Sequence, residues 1–467
     1  MQVAWTIARK ELRELRRDGR LVAMVAVTSL VAVVAVWSAA RQTIEAATER
    51  LHAQQAERDR WVEQGDVNPH AAAHYGTFVF APTTPLALVD PGVTPYVPAA
   101  VFLEAHQQQV GRHRPVADAL TFRRLADVSV TTMLQVVAPL LAVLLGATSV
   151  ARERDRGTWR LLLVSGAGGR AVIAGKALAL AAGLALGVGP AIVAAVGAAG
   201  AFTSGPLDGD EAVRGVLLVV GYGAYLALWI ALTLALSMRA RTATRALGAG
   251  VALWLAVCIV GPPALMTAAT FWAPAPTVAE FTAAIDDERA TRPSWDDRVA
   301  AATERFLNGE ELPVASNPEV VALIDTEAAD TELFGRHLAT LAGRLEQQEQ
   351  VYRRLAWLSP AAAMQALSMT LAGTDYAHHR AFERAAAAYR VDLLRALNDD
   401  LAAFDAWKTF SAAGSREAWA RVPEFQFEPP SVSWALGRAA EPASALALWA
   451  LLAIVVVGRA TSRSTTA

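Results

Sequence analysis

LVAMVAVTSLVAVVAVWSAA, residues 21–40, carries no charged side chain. A helix that crosses a bilayer needs roughly 17–25 mostly apolar residues, because each residue rises about 1.5 Å through a hydrocarbon layer about 30 Å thick. The run meets that length. Upstream lie Arg9, Lys10, Arg13, Arg16, Arg17 and Arg20, interleaved with Val3, Trp5, Ile7, Ala8, Leu12 and Leu15. Residues 1–20 therefore read as an amphipathic segment able to lie in the membrane interface with its charges toward lipid headgroups. The apolar run exceeds a usual signal-peptide core, which favours a retained helix over a cleaved leader.

Working outward, five further runs meet the same criterion: 128–150, 172–202, 213–238, 246–272 and 443–459. The composition agrees, with 54% hydrophobic and only 18% charged residues among 467, against about 25% charged in an ordinary soluble domain. A formal net charge of -2 argues against a nucleic-acid partner, which requires a basic face. The single cysteine, Cys258, excludes an intrachain disulfide. Lysine occurs only at Lys10, Lys176 and Lys408 among many arginines, which reads as compositional bias.

The short loops set the orientation. Arginine and lysine cluster before residue 21, at 152–176, at 239–245 and at Arg459 and Arg463, all on one side of a six-span topology. The positive-inside rule makes that side cytoplasmic, so both termini are expected there, in a bacterial inner membrane. Arg123 and Arg124 are the one pair that does not follow the pattern. Residues 151–171 form a cytoplasmic loop and 460–467 a cytoplasmic tail. Residues 41–127 and 273–442 then lie outside, and the second is large enough to be a domain. Its apolar residues fall at helical steps, as in Phe334, Leu338, Leu341, Leu345 and Tyr352. Ser359-Pro360 reads as an N-cap followed by proline in the first turn. The fold class is an all-α membrane protein with six spans and a mostly helical extracytoplasmic domain. Residues 82–98, with five prolines, read as irregular structure packed onto that domain.

The cytoplasmic loop carries the most specific pattern. Arg152-Glu-Arg-Asp-Arg-Gly-Thr158 precedes a short apolar run from Trp159 to Val164, closed by glycines and by Gly175-Lys176. A short helix there can enter a groove on a cytoplasmic partner. These elements, with the basic amphipathic start and six spans, resemble the ABC-2 type permeases of ABC exporters. Leu358 to Met369, Leu371 to His379, Phe382 and Tyr389-Arg390 resemble the narrower DUF3526 group of ABC permeases. The resemblance implies a permease subunit energised by a separate ATP-binding subunit, which hydrolyses the ATP. It also implies a second permease copy or paralogue beside it in the lipid, and a periplasmic partner for the outer domain. It assigns the coupling contact to Glu153, Gly157, Thr158, Trp159 and Leu162. No phosphate-binding G-x-x-x-x-G-K-[ST] loop occurs in the chain, and no catalytic residue or cofactor is expected in it. A membrane-anchored assembly or sensor protein, binding a partner without transport, is the alternative.

All 8 histidines lie in the two outer segments. His378 and His379 are the candidates for a metal, and none is expected to bind. His70 and His74 stand four apart, but Pro69 and Gly76 confine any helix between them to a short turn. No H-E-x-x-H or G-x-S-x-G pattern occurs. The spans show no chain of ionisable residues and thus no visible proton path.

Overall fold

The computed structural model describes residues 2–105, 129–202, 208–310, 318–402 and 413–466; Arg123 and Arg124 lie outside them. Six helices are long and apolar enough to cross a membrane: Arg20–Val62, Val130–Asp155, Gly169–Ala199, Gly209–Arg239, Ala243–Trp272 and Val432–Ser462. They are called spans 1 to 6 below. Span 1 continues without a break to Val62, so the charged stretch after residue 40 rises out of the apolar part as one helix. The helix of span 6 begins at Val432 and runs through Pro442, ahead of the start expected at Ala443. The N-terminal helix Gln2–Arg17 lies against span 3. Gly175 permits that approach, because a Cβ there would meet Ala4 O at 2.6 Å and Ile7 Cβ at 2.7 Å.

Two spans contain wide π-helical turns, at Met133–Val137 in span 2 and Leu255–Val260 in span 5. Such turns mark places where the backbone ladder is interrupted. In span 2 the interruption follows from Pro139, which has no N–H to offer the carbonyl of Gln135 one turn back. The Tyr225 hydroxyl donates to that carbonyl instead, at 3.0 Å.

Residues 273–442 are expected to lie outside, and within them one helix packs into the bundle of spans. The long helix Pro318–Leu355 leads into a turn and then the helix Pro360–Ala372, almost every residue of which is buried. That helix packs against spans 4 and 6 and shares their core. At its start the Ser359 hydroxyl reaches Val257 O in the middle of span 5, at 3.5 Å. Span 4 admits it at Gly221, where a Cβ would stand 3.2 Å from Leu367. A 13-residue apolar helix is too short to span and long enough to dip into the bundle and return, which is a re-entrant segment. Ser359 caps it as expected, its side chain accepting from Ala362 N. Gly373 ends it at φ 73°, the left-handed cap that glycine adopts without strain.

The proline-rich stretch locks onto the returning end of this helix. Val93 N donates to Thr374 O at 2.9 Å, and the Thr374 hydroxyl donates to Asp90 O at 3.0 Å. Gly92 sits at φ 49°, and a Cβ there would overlap Thr374. The sequence reading missed a small antiparallel pair, β1 Thr77–Phe80 with β2 Ala100–Leu103, which brackets this loop. Its aromatic and β-branched residues were the available signal.

Candidate functional site

The end of the bundle that carries the N-terminal helix is built around one buried ammonium group. Lys176 of span 3 is 2% exposed, and its Nζ donates to Glu11 and Glu153, at 2.9 Å each, and to Ser149 O at 3.3 Å. Glu11 belongs to the N-terminal helix and Glu153 to the start of the cytoplasmic loop, so three elements meet at one charge. Lys10 approaches from outside, 3.7 Å from Glu11 and 3.9 Å from Glu153. The remaining loop contacts reach spans 4 and 5. Asp155 accepts from Ala243 N at 3.0 Å, and the Arg154 guanidinium donates to Met238 O. The Ser237 hydroxyl accepts from both Val150 N and Ala151 N.

Beyond this anchor, Gly157 turns the chain at φ 72° and the helix Thr158–Val164 begins. The expected coupling residues separate by orientation. Glu153 and Trp159 point inward, Trp159 being 5% exposed within the bundle core. Gly157 and Thr158 are exposed and Leu162 is half-buried. The outward apolar face belongs to Leu161 and Val164, 69% and 86% exposed. Sequence spacing could have found them, since 161 and 164 fall three apart on one helical face opposite Trp159.

In the middle of the bundle runs a strip of uncharged polar groups. Tyr222 and Ser368 share a hydroxyl–hydroxyl bond of 2.8 Å, and Gln135 Nε2 donates to Tyr222 at 3.1 Å. Tyr225 continues it toward Cys258, 3.5 Å away. The strip joins spans 2, 4 and 5 to the re-entrant helix where the two π-helical turns lie. At its outer end Asp90 is enclosed, one carboxyl oxygen accepting from Gly92 N at 3.0 Å. Burial pushes its carboxyl up from the usual value, against the pull of Ser368, Gly92 N and Thr131. Sequence reading did not see this strip because hydroxyl and amide side chains do not register as charges in an apolar run.

At the opposite end, an ionic network ties spans 4 and 6 to the helices within residues 318–402. Arg214 Nη1 donates to His378 Nε2 at 3.2 Å and Nη2 to Pro430 O. A guanidinium can only donate, so His378 must carry its proton on Nδ1 and donates it in a hydrogen bond to Asp375 Oδ1, 2.5 Å away. Asp375 also accepts from Thr370 at 2.8 Å, and Arg438 of span 6 lies 3.7 Å from it. Burial raises the Asp375 carboxyl, but the hydrogen bonds from the His378 side chain and backbone and the charge of Arg438 outweigh it and hold the group below the usual carboxylate range. Arg438 further binds Glu349 at 2.7 Å. Both nitrogens of His378 are thus committed to protein partners, and His379 Nε2 stands 3.3 Å from Glu383. Among the described residues no three or more histidine, cysteine or acidic side chains form a metal-holding group.

The profile of the ABC-2 family transporter proteins matches residues 5–458. The chain belongs to the ABC-2 transporter family. Comparison with curated protein sequences finds no match. Membership of the ABC-2 family makes the chain a permease component of an ABC transporter, a multi-pass membrane protein whose class works with an ATP-binding subunit. The buried Lys176 junction and the exposed helix beside it are then features of an ABC-2 permease.

Proposed function

We propose that this ABC-2 permease is an exporter subunit of the DUF3526 group, driven by a separate ATP-binding subunit that docks on the helix Thr158–Val164. The observation that carries the reading is the outward pair Leu161 and Val164, apolar and 69% and 86% exposed, on a helix whose base is fixed by buried charges. A groove on the partner that receives this face removes two large aliphatic side chains from water, worth about 1.5–3 kcal/mol each. Arg156 and Arg160 are exposed beside it and add charge complementarity to an acidic rim.

Displacement of this helix has a continuous route through the molecule. Glu153 carries it to Lys176 and span 3, Glu11 to the N-terminal helix, and Arg154 and Asp155 to the junction of spans 4 and 5. Arg214 and Arg438 connect spans 4 and 6 to the outer helices. The re-entrant helix, held to its neighbours by hydroxyl bonds in place of ion pairs, is the part that can shift at low cost. A second permease copy or paralogue completes the translocation unit. Span 5 is the face offered to it, as only 11% of its apolar window is buried. The outer domain meets substrate or a periplasmic partner.

This reading requires the loop to be cytoplasmic in the inner membrane, with both termini on that side. Cys258, the only native thiol, is buried, so introduced cysteines report cleanly. Val164→Cys is expected to react with an impermeant maleimide in inverted vesicles but not in intact spheroplasts, and Tyr96→Cys the reverse. Labelling of Val164→Cys from outside would place the loop beyond reach of any ATPase and end the proposal.

A further inference from the structure

The 7-residue helix Pro69–Tyr75 stands at the outer end of span 1, between Asn68, whose side chain accepts from His70 N, and Gly76. One turn is enough to put residues four apart on one face. His70 and His74 use it to bring their Nε2 atoms to 3.0 Å, with ring centroids 4.5 Å apart and planes at 80°. Two imidazoles can share a proton in that arrangement. They can also grip a metal. Metal–nitrogen bonds of about 2.0–2.1 Å, meeting at angles from square to tetrahedral, hold two nitrogens roughly 2.9–3.4 Å apart.

What lies behind the pair favours the metal. Glu327 of the long outer helix is 3% exposed, and its Oε1 sits 3.4 Å from His70 Nδ1. That oxygen accepts no hydrogen bond of good geometry, while Oε2 accepts from Asn398. A carboxylate facing Nδ1 holds the imidazole proton there and leaves the Nε2 lone pair directed at His74. This is the support that metal-bound histidines receive from their surroundings, fixing the tautomer and raising the basicity of the bound nitrogen. The buried Arg390 already sets one positive charge near that carboxylate, and a bound metal ion would add a second.

We propose that His70 and His74, supported by Glu327, bind a divalent metal of the imidazole-preferring class, with Cu(II) held more tightly than Zn(II). The site is open. His74 faces solvent, so water reaches the ion beside the two imidazole nitrogens. The ion is therefore exchangeable and differs from a closed structural centre. Bound there, it stiffens the helix between span 1 and the β pair against the outer helix carrying Glu327.

The test uses the full chain in detergent, with any affinity tag cleaved and the protein stripped by chelator. Titration with Cu(II) and with Zn(II) is followed by calorimetry, and Cu(II) also by electron paramagnetic resonance. Saturable one-to-one binding and splitting from two equivalent imidazole nitrogens are expected. His74→Ala, an exposed change, should weaken binding at least about tenfold and leave metal-free melting unchanged, and Glu327→Gln should weaken it about ten- to a hundredfold. His52→Ala, at an exposed position on the outer part of span 1, is the control and should change nothing. Absence of saturable binding, or full affinity in the His70→Ala/His74→Ala double variant, would overturn the assignment and leave a hydrogen-bonded pair.

Discussion

Replacing Lys176 with methionine is expected to destabilise the protein by about 3–5 kcal/mol, the range for removing one partner of a buried ion pair. Methionine fills the space of the lysine stem, so the loss reports charge more than volume. Without the ammonium, Glu11 and Glu153 face each other with side chains only 14% and 13% exposed. Among the described residues the cation left beside both is Lys10, 48% exposed and more than 3.5 Å from either. The N-terminal helix should detach from span 3, seen as a lower melting temperature and faster tryptic cleavage at Arg9 and Arg13. Adding Glu11→Gln and Glu153→Gln to the same chain should restore most of the loss, because a neutral junction has no uncompensated charge to bury. A Lys176→Met protein that melts like the wild type would show that the junction is not what fixes the cytoplasmic end.

Arg214→Met carries the second large effect, at the opposite end. One charged donor is withdrawn from a buried acceptor, His378 Nε2, and a part-buried one, Pro430 O, at a cost of about 2–4 kcal/mol. The cost should fall locally. Hydrogen exchange in residues 373–382 should accelerate roughly thirty- to a thousandfold, since those amides open as the outer helices part from span 4. The cytoplasmic loop should keep its protection. Equal acceleration in both places would mean general unfolding and would remove Arg214 as the link between span 4 and the outer domain.

Much of the architecture was legible in sequence, and the exceptions have physical causes. Apolar runs of spanning length find all six candidate spans, because bilayer thickness allows few alternatives. Pro442 concealed the true start of span 6, since an interior proline resembles a helix start. The Pro360–Ala372 helix was read as outer because it is too short to span, and hydropathy alone does not separate a re-entrant helix from a buried one. The Lys176 junction joins residues 165 positions apart, beyond any local pattern. Yet two of the chain's three lysines meet there, so the scarcity read as bias was in part a placement. In the loop after span 2 the sequence marked the helix Thr158–Val164, but not which face of it looks outward. Glu153 and Trp159 are conspicuous residues that hold the helix in place, and the plain aliphatics Leu161 and Val164 face out.

That distinction selects the decisive measurement. Tagged protein is purified in mild detergent from its native host, as wild type and as Leu161→Asp/Val164→Asp, and each preparation is assayed for a co-purifying ATP-binding subunit. The account predicts recovery of the subunit with the wild type and its loss with the variant, while the variant's melting temperature stays unchanged because both side chains are already in water. Recovery with both proteins would move the docking contact off this helix. Recovery with neither, from folded protein, would contradict the ATP-driven permease and leave a membrane-anchored assembly protein as the reading.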